Sequence, residues 1–159
     1  MYLIEKITLS SAWVISFISI WFIPRKKASQ ASLIFLITQF FTWILGLFIV
    51  EFACLDYPVR ELSKANSTSF SFEYFILPII TIFFVLHYPY NKPFKSRVLY
   101  YIIFSSAFTL IEHYLERYTL IIKYHSWKWY WTWISMSLLF YVVMAIYKWF
   151  YKIKRIFSI

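Results

Sequence analysis

"VLYYIIFSSAFTLIEHYLERYTLII" (98–122) is apolar and long enough to cross a bilayer, yet it carries Glu112, His113, Glu116 and Arg117. A helix of about 20 residues spans the ~30 Å of hydrocarbon in a membrane. A charged side chain at its centre costs roughly 2.5–3.5 kcal/mol on insertion scales, so it must face protein or a wet cavity. On a helical wheel Ser105, Ser106, Thr109, Glu112, His113, Glu116 and Arg117 fall within an arc of about 140°. Phe104, Ala107, Phe108, Ile111, Tyr114, Leu115 and Tyr118 take the opposite arc. The spacing therefore predicts a helix that turns a polar stripe inward. Ser105, Thr109, Glu112 and Glu116 face the bundle, and Phe104, Phe108 and Leu115 face lipid or apolar neighbours.

The rest of the chain makes lipid the fitting solvent. Of its 159 residues 62% are hydrophobic and 14% charged, against about 25% charged in soluble domains. A soluble chain of this size could not hide that much apolar surface in one core. The net charge of +9 comes in short clusters between apolar spans. That pattern belongs to membrane electrostatics and excludes nucleic acid as the partner. A single cysteine, Cys54, rules out an intrachain disulfide framework.

Five helices follow, at about 4–23, 31–52, 71–90, 98–122 and 127–147, in one integral membrane domain over 1–159. The breaks are "PRKKASQ" (24–30), "ACLDYPVRELSKANSTS" (53–69), "YNKPFKSR" (90–97) and "KYHSWK" (123–128). Pro89 and Pro93 end the third helix. The first span has no small-residue cleavage site and runs directly into Arg25, Lys26 and Lys27, so it reads as a retained helix. One side gathers Arg25, Lys26, Lys27, Lys92, Lys95, Arg97, Lys148, Lys152, Lys154 and Arg155, ten of the sixteen basic residues. Lys6, Arg60, Lys64, Lys123 and Lys128 lie on the other. The positive-inside rule then predicts an all-α polytopic bundle with N-terminus outside, C-terminus inside and an external 53–69 loop.

Glu112 and Glu116, one turn apart, point the same way. They could share a proton or hold a cation, with Arg117, His113 and Thr109 as further candidate ligands. Glu51, Glu73, His125, Trp127 and Trp131 are secondary candidates at the same side. Glu73 has a simpler explanation, since a carboxylate in the first turn of a helix is favoured by the dipole. Glu51 lies opposite the Gln39, Thr42 and Gly46 stripe of the second helix, so both cannot face one core. "SWKWYWTW" (126–133) reads as an aromatic belt, or as a roof in which Trp127 and Trp131 cover the polar pocket. The spacing matches no metal motif such as His-Glu-x-x-His, so metal and cofactor stay unassigned.

Four segments resemble one family: "DYPVR" (56–60), "TSFSFEY" (68–74), "LERYT" (115–119) and "IKYHSWKWYWTW" (122–133). They are similar to a family of small multi-pass membrane proteins abundant in spore-forming Gram-positive bacteria. The resemblance covers most of the chain. It implies a helical bundle in the bacterial cytoplasmic membrane and no assigned activity. Family members often lack a histidine at position 113, which leaves Glu112, Glu116 and a basic residue at Arg117 as the better set.

Three functions fit these residues. One is a module that binds or passes a proton, a cation or a small polar ligand. The second is a structural or assembly subunit of an envelope complex, a homo- or hetero-oligomer with the polar stripe as glue between helices. The third, an enzyme acting on lipid-linked substrates, lacks a nucleophile-plus-base pair and a phosphate loop.

Overall fold

In the computed structural model, described here for residues 3–152, five α-helices form one bundle. They are α1 (Leu3–Trp21), α2 (Ala28–Glu51), α3 (Leu77–Leu86), α4 (Phe94–Tyr118) and α5 (Trp129–Phe150). Lys154 and Arg155, counted above among the basic residues of one side, lie outside the described residues. The helices α1, α2, α4 and α5 are long and apolar enough to cross a membrane. The third is not. It begins as a π turn, Phe72–Ile76, and continues as ten residues of α3, ending at Leu86 rather than near 90. At 1.5 Å per residue this is about 22 Å, short of a full hydrocarbon core.

The π turn has a cause in the sequence. Pro78 has no N–H, and the Leu77 N–H goes to the Phe72 carbonyl, five residues back. The carbonyls of Glu73 and Tyr74 are left without helical donors. Helix α2 supplies them: Thr42 Oγ1 donates to Glu73 O and Gln39 Nε2 to Tyr74 O, both at 2.8 Å. The α2–α3 pair is therefore joined where α3's own ladder fails.

Helix α4 starts directly after Pro93, about four residues before the sequence reading. It also ends earlier, at Tyr118, because Thr119 is extended and folds its hydroxyl back onto the Leu115 carbonyl at 2.6 Å. Its polar stripe turns onto α5, where Ser137 Oγ donates to Ser105 Oγ at 2.9 Å and Trp133 Nε1 to Ser106 Oγ at 3.1 Å. Ser105, Thr109 and Glu112 are buried. Phe108 and Leu115 are buried with them, while Ala107, Ile111, Tyr114, Glu116 and Arg117 are partly or fully exposed. The inward arc is thus rotated away from Arg117 and toward Phe108.

One end of the bundle is a cap of two stitched loops. Strand β1 (Leu55–Asp56) pairs antiparallel with β2 (Lys123–Tyr124). The amides of His125, Ser126 and Trp127 converge on the Cys54 carbonyl at 3.0–3.1 Å. Glu5 of α1 joins this end by accepting the Leu120 N–H at 3.2 Å. The opposite end carries Arg25, Lys26, Lys27, Lys92 and Lys148, with Lys27 Nζ on the Leu86 carbonyl at 3.4 Å. Between the ends the core centres on Phe84 and Phe140, both fully buried and stacked at 4.3 Å.

Candidate functional site

A cavity of about 90 Å³ lies under the cap, among α2, the π turn, α4 and α5. Two carboxylates line it, Glu73 from the π turn and Glu112 from α4, with Thr42, Tyr57, Trp127 and Thr132 around them. Among the described residues no Lys, Arg or His lines the cavity.

Glu112 stands six residues before the end of α4, about 9 Å along the helix axis. Its Oε1 accepts from Tyr124 at 2.5 Å and from Thr132 Oγ1 at 2.6 Å. Trp127 Nε1 donates to the same Thr132 oxygen at 2.8 Å. Glu73 is 3% exposed. Its Oε2 accepts from Thr68 Oγ1 at 2.8 Å, while its Oε1 is buried with no hydrogen-bond partner. The carboxyl group lies against Gly46, the only glycine of the chain, and a Cβ at position 46 would collide with it. A glycine is what lets a carboxylate rest on the α2 backbone here.

Two tyrosines from the cap reach toward these acids. Burial, and then the neighbouring Glu73 and Glu112 carboxylates, hold the Tyr57 hydroxyl well above its ordinary value. Burial and Glu112 push Tyr124 the same way. Both phenols therefore stay protonated at physiological pH, and Tyr124 donates to Glu112.

The remaining sequence candidates are spread over the molecule. Glu116 is half-buried beside the cap, where its main-chain carbonyl accepts from Lys123 Nζ at 2.8 Å. It does not line the cavity with Glu112, so the second acid of the cavity, Glu73, comes from the π turn instead. Arg117 is exposed and outside the cavity. His113 is half-buried, with its Nδ1 buried and unpartnered. Thr109 is buried and spends its hydroxyl on Ser105 O in its own helix at 2.8 Å. Glu51 is exposed, on the face of α2 away from Thr38, Thr42 and Gly46. His125 pairs with Asp56 at 3.3 Å on the outside of the cap. Trp127 lines the cavity; Trp131 is exposed and packs on the Trp127 ring from outside the cavity, at 6.4 Å between centroids.

Tyr57, Thr68, Tyr124 and Thr132 were not singled out by the sequence. The two tyrosines arrive through pairing of distant loops, which leaves no local signal. Gly46 did carry one, as a lone glycine within a 24-residue apolar helix.

The cavity is well below the ~300–1,000 Å³ of ordinary small-molecule pockets. Two carboxylates and hydroxyls, with no basic side chain among the described residues, suit a proton or a small cation. Among the described residues no group of three or more His, Cys, Asp or Glu is placed to hold a metal. Comparison of the chain with family models, curated proteins and solved structures finds no match.

Proposed function

We propose that this protein is a multi-pass membrane protein that binds a proton or small cation between Glu73 and Glu112. One observation carries the reading: two carboxylates from different helices line one small cavity that has no basic residue among the described residues. An unneutralised pair of this kind in low dielectric needs a counter-charge or a proton. Five crossings, with the N-terminus and cap outside and the C-terminus inside, are supported by the basic residues gathered at one end. The short third helix then crosses with help from the cap-side loop and the basic-end turn. In that orientation the cavity lies toward the outer face, and the four helices long and apolar enough to cross a membrane support a multi-pass protein, which we assign to the bacterial cytoplasmic membrane.

The test is cation titration of the purified protein by calorimetry with Na⁺, K⁺ and Mg²⁺, with proton release followed in weak buffer. Glu73→Gln and Glu112→Gln should each abolish the response while the protein stays folded and monodisperse. An unchanged response in both variants would sink the reading.

A second reading has its own support. Glu112 Oε1 binds side chains of β2 and α5 at once, so it also ties α4 to its neighbours. If that tie is its whole role, Glu112→Gln, which keeps an acceptor oxygen, leaves every ion response as it was. Glu112→Leu would instead cost folded protein. Such a subunit of an envelope complex would work through its partners, in a homo- or hetero-oligomer.

A further inference from the structure

Helices α1 and α2 are joined by the short turn Arg25–Lys27, yet α1 packs on the π turn and α3 rather than along α2. The two helices meet at this turn at the basic end and leave a crevice of about 570 Å³ beside it. Ile20, Ile23, Phe35 and Leu36 form its walls, and Phe75, Ile79 and Ile82 its floor. Its lining is apolar except for Ser32 and Arg25, and Arg25 stands where the connecting turn closes the crevice. Arg25 is exposed and has no ion pair or side-chain hydrogen bond among the described residues. Lys26 beside it is exposed as well. An apolar slot that runs along α2 from Ala28 to Leu36, with a free guanidinium at its mouth, has the polarity of a phospholipid lying along it.

We infer that this crevice holds an acyl chain of an anionic phospholipid whose phosphate sits at Arg25. Charge complementarity selects the occupant. A second copy of the chain would bring its own basic turn to the same place, and a zwitterionic lipid would carry a compensating ammonium. A planar guanidinium can donate two parallel hydrogen bonds to a phosphate. A basic residue near an anionic lipid surface favours it on the order of fivefold. The inference rests on the membrane location proposed above and is independent of the Glu73–Glu112 cavity.

Native mass spectrometry of the detergent-purified protein tests it, with equal amounts of phosphatidylglycerol and phosphatidylcholine of identical acyl chains. Phosphatidylglycerol should be retained about fivefold better, on the order set by one basic contact. Arg25→Gln should bring it down to the phosphatidylcholine level, and Arg25→Lys should recover part of the preference. Ala28→Trp, which fills the crevice and leaves the charge alone, should reduce retention of both lipids. Equal retention of the two lipids by the unaltered protein would overturn the inference, as would a preference that survives Arg25→Gln. A dimer that excludes lipid would give the crevice to a second copy. Membrane location is checked separately by resistance to alkaline carbonate extraction, and a chain that washes out removes the lipid site together with that location.

Discussion

Gly46 and Glu73 show how much one missing methyl group decides. The Glu73 carboxyl occupies the space of a Cβ at position 46, and Thr68 holds it there. Gly46→Ala should therefore push the carboxylate out of its seat and destabilise the protein by about 1–3 kcal/mol, as other overpacked sites do. In a Glu73→Ala background the same change should cost far less, since its obstacle is gone. Thermal unfolding in detergent measures the coupling, and additive costs would show that the two residues are not in contact. Thr132→Val acts at the other acid. It removes a donor to Glu112 and the acceptor of Trp127 Nε1 in one step. Trp127 Nε1 is left without that acceptor and Glu112 keeps Tyr124 alone, which should cost about 1–3 kcal/mol, and Thr132→Ser should restore most of it.

The π turn is the element on which the site depends. It sets Glu73 against α2 and makes the helix lend its carbonyls to Gln39 and Thr42. Gln39→Leu leaves the Tyr74 carbonyl without a donor and should cost about 1–3 kcal/mol. Pro78→Ala gives residue 78 an N–H, which in a regular α-helix bonds to that same carbonyl four residues back. The cost of Gln39→Leu should then fall below 1 kcal/mol in the Pro78→Ala background, on the scale of a replaced hydrogen bond. A double-mutant cycle by chemical denaturation reads this directly. Equal costs in both backgrounds would mean that the missing proline N–H is not what creates the Gln39 bond.

For the molecule as a whole, the arrangement of ends predicts accessibility. Ser67 belongs to the capped end and Ser96 to the start of α4 at the basic end. With Cys54 replaced by serine, a membrane-impermeant thiol reagent added to intact cells should label Ser67→Cys and spare Ser96→Cys. Labelling of Ser96→Cys alone would reverse the orientation. Labelling of both would mean that one of the five segments does not cross, and the 22 Å third helix is the segment this result would implicate.

Helix character and lipid as solvent were determined by the sequence alone. An apolar run of 20 residues must satisfy its own backbone, and only a helix does so within one segment. The periodicity of α4 likewise determined that Ser105, Thr109 and Glu112 turn inward, because burying a charge in lipid is costly along any helix. Glu116 and Arg117 share that periodicity. Yet α4 ends at Tyr118, and the last turn rises out of the packed layer into the cap, so wheel position no longer decides burial there. Only the tertiary structure brought Glu73, Glu112 and Tyr57 to one cavity and Tyr124 onto Glu112. Those contacts join residues from four separate segments. They depend on a π turn set by a proline five residues beyond Glu73, on a glycine in another helix, and on the pairing of Leu55–Asp56 with Lys123–Tyr124. Local sequence records which residues prefer a helix or a turn; which segments meet depends on how the packed surfaces fit.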